Sequence, residues 1–220
     1  MVRRIEPEQP DAFDETLLTE TNIDALVDSA ILDGVRLLGA GNPPAAARAL
    51  VLEGSVVQGA VLAGSRLPSL RCLDTRLERA DASAATWVDA RLVRTRFSGC
   101  KLSGFDARGA ELRDVVFDHC KAPDLIFTQA TLARVRFDDC RLTGLDLGGA
   151  KIESCAIRGC DARNLRLQGA KIGLLDLRGS LIDGITPDQA SLSSIVIDPT
   201  QLPAVAAAVG LRVLDLEPPV

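Results

Sequence analysis

ARLVRTRFSGCKLSGFDARGA, residues 90–110, sets Leu92, Phe97, Leu102 and Ala107 five residues apart, with Ala90, Thr95, Cys100 and Phe105 two places before each. Worked outward, the same apolar slot recurs from Leu52 to Leu202 and is broken only by Pro187. The position two before it is never charged. All 39 Asp, Glu, Lys and Arg residues between 50 and 202 fall in the other three places of the five, an arrangement with random odds of roughly one in 10⁹. A period of five fits neither the 3.6 of a helix nor the 2 of a simple strand, and it excludes hexapeptide coils and the longer helical repeats.

A second period of twenty lies over the first. Phe97, Phe117 and Phe137 form one set, Ala90, Ala110, Ala130 and Ala150 another, and Leu125, Leu145 and Leu165 a third. If four pentapeptides close one turn, residues twenty apart lie above one another and like stacks on like. The chain becomes a square tube, with the slot residue and the one two before it inward and the other three facing water. Glycines such as Gly99, Gly104, Gly109 and Gly144 fall at the corners, where tight turns suit them. Residues 50–202 make about 7.5 turns, which at ~4.8 Å per coil predicts a rod of about 36 Å. Ala30/Leu32, Val35/Leu37 and Ala40 add an earlier turn. Asn42, Pro43 and Pro44 interrupt it, and the register resumes at Leu50 through a distorted corner, a bulge or an Ala-rich helical excursion at 45–49.

The pattern, as in Cys100-Lys101-Leu102-Ser103-Gly104 or Ala130-Thr131-Leu132-Ala133-Arg134, resembles the pentapeptide repeat family. The resemblance spans 30–197 and implies an all-β fold, a right-handed four-sided β-helix. It divides the chain into an acidic N-terminal segment or cap (1–29), the β-helix (30–197), and a capping helix with a short extended tail (198–220). It says little about activity, because most members of that family have no assigned function.

Both ends of such a rod need closing. Asp198-Pro199 reads as a helix start, and Gly210 as its stop. Leu202, Val205, Ala206 and Val209 form one apolar stripe suited to lie across the last coil, and Pro203 sets the regular part nearer 203. Leu211 to Leu216 alternates apolar and polar residues. Similar family members dimerise through this end, so Leu202, Val205, Val209, Leu211 and Val213 are the expected cap and homodimer residues. At the other end Phe13, Leu17 and Leu18 are expected either to plug the core or to belong to a disordered segment.

Chemistry is scarce. Asp118-His119-Cys120 holds the only histidine, but Cys120 is an inward slot and His119 an outward corner, so they point apart and a nucleophile–base pair is excluded. His119 stacks one coil from Asp139, which predicts a surface ion pair. Cys100, Cys120, Cys140 and Cys160 make an inward column whose neighbours Ala80 and Ser180 indicate selection for small size. Stacked in line they span about 14 Å, too far for one zinc, although a redox role for a pair stays open. No glycine-rich phosphate loop, paired catalytic carboxylate or metal-spaced His/Cys set occurs. The expectation is a non-enzyme with no cofactor and no metal.

The charge balance narrows the partners. The chain carries a net charge of −5 over 220 residues, of which residues 1–30 hold −6 and residues 31–200 hold +2. Asp74, Arg94, Asp114 and Arg134 alternate in sign and predict a ladder of surface ion pairs of small individual worth. Lys101, Lys121 and Arg141 do not alternate, and Arg96 and Arg136 occupy the matching place on the adjoining side. These five are the candidate site for an acidic partner or phosphate. With no apolar run long enough to span a bilayer and an opening MVRRIEPEQPDAFDE unlike a signal peptide, a cytoplasmic protein without membrane contact is expected.

Two functions follow. The first is a scaffold whose sides bind a cytoplasmic protein partner. The second, implied by the family resemblance, is a bacterial DNA mimic that binds DNA gyrase or topoisomerase IV and confers quinolone resistance. Duplex DNA carries one negative charge per ~1.7 Å, so a rod of this length would need on the order of twenty net negative charges. The near-neutral body weakens that reading. Direct nucleic-acid binding is weaker still, with a short basic column and few aromatics for stacking.

Overall fold

The computed structural model describes residues 5–9, 15–39 and 46–211. In chain order the strands are β1 (Thr19–Asn22), β2 (Ile31–Asp33), β3 (Val35–Leu38), β4 (Val51–Glu53), β5 (Val56–Gln58), β6 (Arg71–Leu73), β7 (Arg76–Glu78) and β8 (Arg91–Ser98). There follow β9 (Glu111–Asp118), β10 (Thr131–Asp138), β11 (Lys151–Arg158), β12 (Lys171–Ile172), β13 (Leu175–Asp176), β14 (Ile195–Val196) and one helix, α1 (Leu202–Ala208). All pairs are parallel, stacked as a β-solenoid of about nine turns.

The twenty-residue turn is explicit in the register: Arg71 pairs with Arg91, Arg91 with Glu111, Glu111 with Thr131, and Thr131 with Lys151. There are four sides. Two are the strand ladders, one starting from β2 and one from β1. The other two are bridge ladders, Val61–Asp81–Lys101–Lys121–Arg141–Asp161–Leu181 and Arg66–Thr86–Asp106–Ile126–Asp146–Arg166–Thr186. Each coil hands its amides to its neighbours, as in Arg71 N–H to Leu50 O at 2.9 Å and Gly59 N–H to Glu78 O at 2.8 Å. Backbone groups are thereby satisfied coil by coil, and what distinguishes one coil from another is left to side chains.

Both inward positions are sealed. Trp87 and the rings of Phe97, Phe105, Phe117, Phe127 and Phe137 are among the most fully buried side chains. Phe97, Phe117 and Phe137 stack at centroid spacings of 4.7 and 4.6 Å, close to the coil repeat itself. Two inward columns are polar for a backbone reason. Cys120 and Cys140 donate their amides to the sulfurs of Cys140 and Cys160, at 3.3 and 3.2 Å, and Cys160 donates its amide to Ser180 Oγ at 3.0 Å. Each thiol in turn donates to a carbonyl of the coil before, such as Cys140 Sγ to Phe117 O at 3.4 Å. The column therefore selects a small side chain that both accepts and donates, a stricter demand than size. Ser55, Thr75 and Thr95 likewise hold carbonyls in a second column.

Corners depart from the glycine reading. The corner residue takes a positive φ whether it is glycine or not, at Asp74, Arg94, Asp114, His119, Arg134 and Asn164 among others. The left-handed turn is imposed by stacking and carries ~1 kcal/mol or more of cost at each non-glycine.

The first turn is shorter, with Thr19 opposite Val35. Ile23 and Leu26, 0% and 2% exposed, close the N-terminal end. Leu17 does not, being 79% exposed, and Phe13 lies outside the described residues. The coil resumes at Ala46, which bridges Arg66, with Ala47 fully buried, so 46–49 are a coil corner and not a helix. At the far end Asp198 and Gln201 form a capping box, and Gln201 Nε2 donates to Leu177 O and Ser180 O at 2.7 and 2.6 Å. This glutamine, with Ala204 and Val205, covers the last coil. Leu202 faces away from it at 57% exposure, because the short helix turns only part of its stripe inward, and Leu211, beyond the helix, is 65% exposed.

Candidate partner-binding surface

The five candidate residues do not form one patch. Lys101, Lys121 and Arg141 stack on one bridge ladder and are exposed. Lys101 lies 3.5 Å from Asp81, and no carboxylate among the described residues is within 4.0 Å of Lys121 or Arg141. Arg96 and Arg136 sit on the adjoining side and are engaged. Arg96 donates to Asp118 Oδ2 at 2.8 Å and Gln9 Oε1 at 2.9 Å. Arg136 donates to Asp138 Oδ2 at 2.7 Å and Glu6 Oε2 at 3.3 Å.

Those two arginines belong to a longer column that the sequence reading did not assemble: Arg36, Val56, Arg76, Arg96, Val116, Arg136, each opposite the next. The N-terminal segment lies against it. Glu15 pairs with Arg36 and Arg76 at 2.7 and 2.8 Å, Gln9 meets Arg96, and Glu6 meets Arg136. Ile5 and Pro7 are buried, as are Val56 and Val116 at 0% and 1% exposure. Two signals in the sequence foreshadow this contact: acidic residues clustered before residue 16, and two valines in an outward column otherwise filled by arginine. The hydrogen bond from Arg36 and the charge of Arg76 hold the Glu15 carboxyl below its usual range.

Between the arginines the segment makes one backbone contact, Glu8 N–H to Asp114 Oδ1 at 3.1 Å. Asp114 and Asp74 are also gripped by Arg134 and Arg94, each through two 2.6 Å hydrogen bonds. The alternating ladder is thus two bidentate forks with buried carboxylates, the Asp114 side chain being 2% exposed, and not a set of loose surface pairs. Burial alone would raise the Asp114 carboxyl. The Arg134 fork, the Glu8 amide and the charge of Arg113 outweigh it and leave the group below the usual carboxylate range. A buried carboxylate held this way is costly to strand without its partner.

His119 is 70% exposed while Cys120 is 1% exposed. The imidazole bonds its chain neighbour Asp118 at 2.6 Å and reaches Asp139 only at 4.0 Å, and the Asp118 hydrogen bond raises its pKa. Burial pushes the Cys72 thiol up to about 12. In the column, each thiol's donated bond requires the protonated form. At the C-terminal end Val205 packs on the core, Leu202, Val209 and Leu211 are exposed, and Val213 lies outside the described residues. No helix among the described residues is long and apolar enough to cross a membrane.

Residues 90–167 match the family model described as Pentapeptide repeat region. No curated protein matches the chain. Among solved structures, full-length QnrB1, a plasmid-mediated fluoroquinolone resistance protein, aligns at 15% identity over 88% of this chain and all of its own, with a TM-score of 0.44. HetL from the cyanobacterium Nostoc, a pentapeptide repeat protein involved in heterocyst differentiation regulation, aligns at 16% identity over 73% of this chain and 84% of its own, with a TM-score of 0.38. Rfr23 from the cyanobacterium Cyanothece, also a pentapeptide repeat protein, aligns at 16% identity over 81% and 91%, with a TM-score of 0.20. The family match lies at the centre of the chain, and the same five-residue beat and twenty-residue register run through the coils on either side of it, so residues 90–167 are a pentapeptide repeat region inside a longer β-solenoid of the same register.

Proposed function

We propose that this protein is a non-enzymatic scaffold that binds a cytoplasmic protein partner through its sides. The observation that carries this reading is the filled interior: both inward positions of the coils are occupied by packed side chains, so recognition falls to the outward columns. Among these, Lys121 and Arg141 offer adjacent exposed cations, which fit an acidic protein surface. Affinity capture with the full chain and with a K121E/R141E variant tests the reading. A partner retained by the first and lost by the second is expected, provided both have the same circular dichroism. Identical captures would overturn it.

Net charge speaks against DNA mimicry, since residues 31–200 sum to +2. In a gyrase supercoiling assay the protein is expected to leave the enzyme uninhibited at stoichiometric concentration. Clear inhibition would replace the scaffold reading with a mimic that uses one face.

A further inference from the structure

The arginine column from Arg36 to Arg136 is met by the chain's own N-terminal segment. Its contacts run against the coil order: Glu6 at Arg136, Gln9 at Arg96, Glu15 at Arg76 and Arg36. The span matches the length of chain between the two ends. Five coils separate Arg136 from Arg36, about 24 Å at the coil repeat, and the nine residues from 6 to 15 reach at most about 30 Å when extended.

We propose that the Arg36–Arg136 column is a docking groove for an extended acidic peptide segment of a partner protein, and that residues 5–9 and Glu15 are its resident occupants, which the partner displaces. This rests on the side-binding scaffold reading and adds to it a second side, with its own chemistry. Four features specify the ligand. The four arginines, 17–31% exposed at their side chains, ask for carboxylates or amide oxygens at intervals along an extended strand. Val116, between Arg96 and Arg136, asks for apolar cover in the same stretch in which Ile5 and Pro7 of the segment are themselves buried. The buried Asp114 asks for a hydrogen-bond donor, which Glu8 supplies from its backbone. A phosphodiester has no such donor and would set its own charge beside that carboxylate, so the groove selects peptide over nucleic acid. Finally, the carboxylates that the segment offers sit at the rim, Glu15 and Glu6 being 44% and 55% exposed at their side chains. Exposed pairs of this kind contribute roughly 0.2–1 kcal/mol each, so the segment holds its place mainly through the effective concentration, of order millimolar, that tethering gives it. A partner segment with one or two better-placed carboxylates, brought in on a larger interface, can take that place.

The test uses a fluorescent synthetic peptide with the sequence of residues 5–18, titrated into the full chain and into a full-length E6K/E15K variant while anisotropy is read. The variant should bind the peptide at least tenfold more tightly than the unaltered chain, because its own segment no longer competes. That binding should weaken several-fold between about 50 and about 300 mM salt, and should vanish when R96E and R136E are added. If E6K/E15K does not fold, Glu8→Pro removes the amide given to Asp114 while leaving every arginine in place, and serves as the released form. The proposal is overturned if a folded released variant does not bind the peptide, if the unaltered chain binds it equally well, or if a short DNA duplex binds the variant as tightly as the peptide. Because Lys121 and Arg141 lie on the adjoining side, the capture experiment above reads the scaffold proposal independently, and either result can fail without the other.

Discussion

Replacing Phe117 by alanine removes the middle ring of a three-ring stack, with Phe97 on one side at 4.7 Å and 14° and Phe137 on the other at 4.6 Å and 7°. The ring is 1% exposed, and Phe127 lies 6.0 Å away at a tilted angle. A buried Phe→Ala change costs about 3–5 kcal/mol from lost transfer energy and cavity. Two stacked contacts, each worth ~0.5–1.5 kcal/mol beyond burial, place this site at the upper end, about 4–5 kcal/mol. The coils above and below are fixed by their own hydrogen bonds and cannot collapse into the void. Phe117→Leu should cost far less, ~1–2 kcal/mol, because the same column accepts Leu77, Ile157 and Leu177 in equally buried places. Urea denaturation followed by circular dichroism measures both, with the slope checked for a change in the cooperative unit. A loss below about 1.5 kcal/mol for alanine, or equal losses for alanine and leucine, would refute the stacked-column reasoning.

Three further outcomes are expected. The thiols of Cys100, Cys120 and Cys140 should resist a thiol reagent in the native protein and react only after denaturation; fast native labelling would contradict their burial. Cys140→Ser should be mild and Cys140→Val more costly in thermal melts, since serine keeps both the accepted amide and the donated bond. Acid should release the N-terminal segment. Glu15 and Asp114 have folded pKa values below their ordinary ones, so their contribution is complete above the unfolded values near 4 and is lost as pH falls through the lower folded ones. A nitroxide at position 8 should become mobile below about pH 4, ahead of global unfolding, and one already mobile at neutral pH would argue against the docked segment.

Much of this architecture is legible in the sequence, because a solenoid repeats its rules. The spacing of Leu92, Phe97 and Leu102 fixes the side, and that of Phe97, Phe117 and Phe137 fixes the turn. Local contacts then follow from register: the column Lys101–Lys121–Arg141 and the opposed directions of His119 and Cys120 are both readable as arithmetic. Contacts that leave the repeat are not. Nothing periodic links Glu6 to Arg136 or Gln9 to Arg96, so the segment that joins the in-repeat partners Asp138 and Asp118 on these two arginines is seen only in the structure. The burial of Asp114 was hidden for the same reason, as its position is nominally outward and depends on Arg134 and Glu8 folding over it. At the C-terminal end the stripe of Leu202, Val205 and Val209 gave the helix but not its seating, which depends on where Gln201 finds carbonyls to hold.

The docked segment is tested most directly by distance. Cysteines placed by Glu8→Cys and Arg113→Cys, both at exposed positions, can carry nitroxides while the buried native thiols stay unlabelled. Since Glu8 bonds Asp114, the residue after Arg113, the two labels should show strong dipolar broadening at neutral pH, abolished by denaturant. A doubly labelled native protein with no broadening would contradict the account, leaving the arginine column open and its proposed occupant elsewhere.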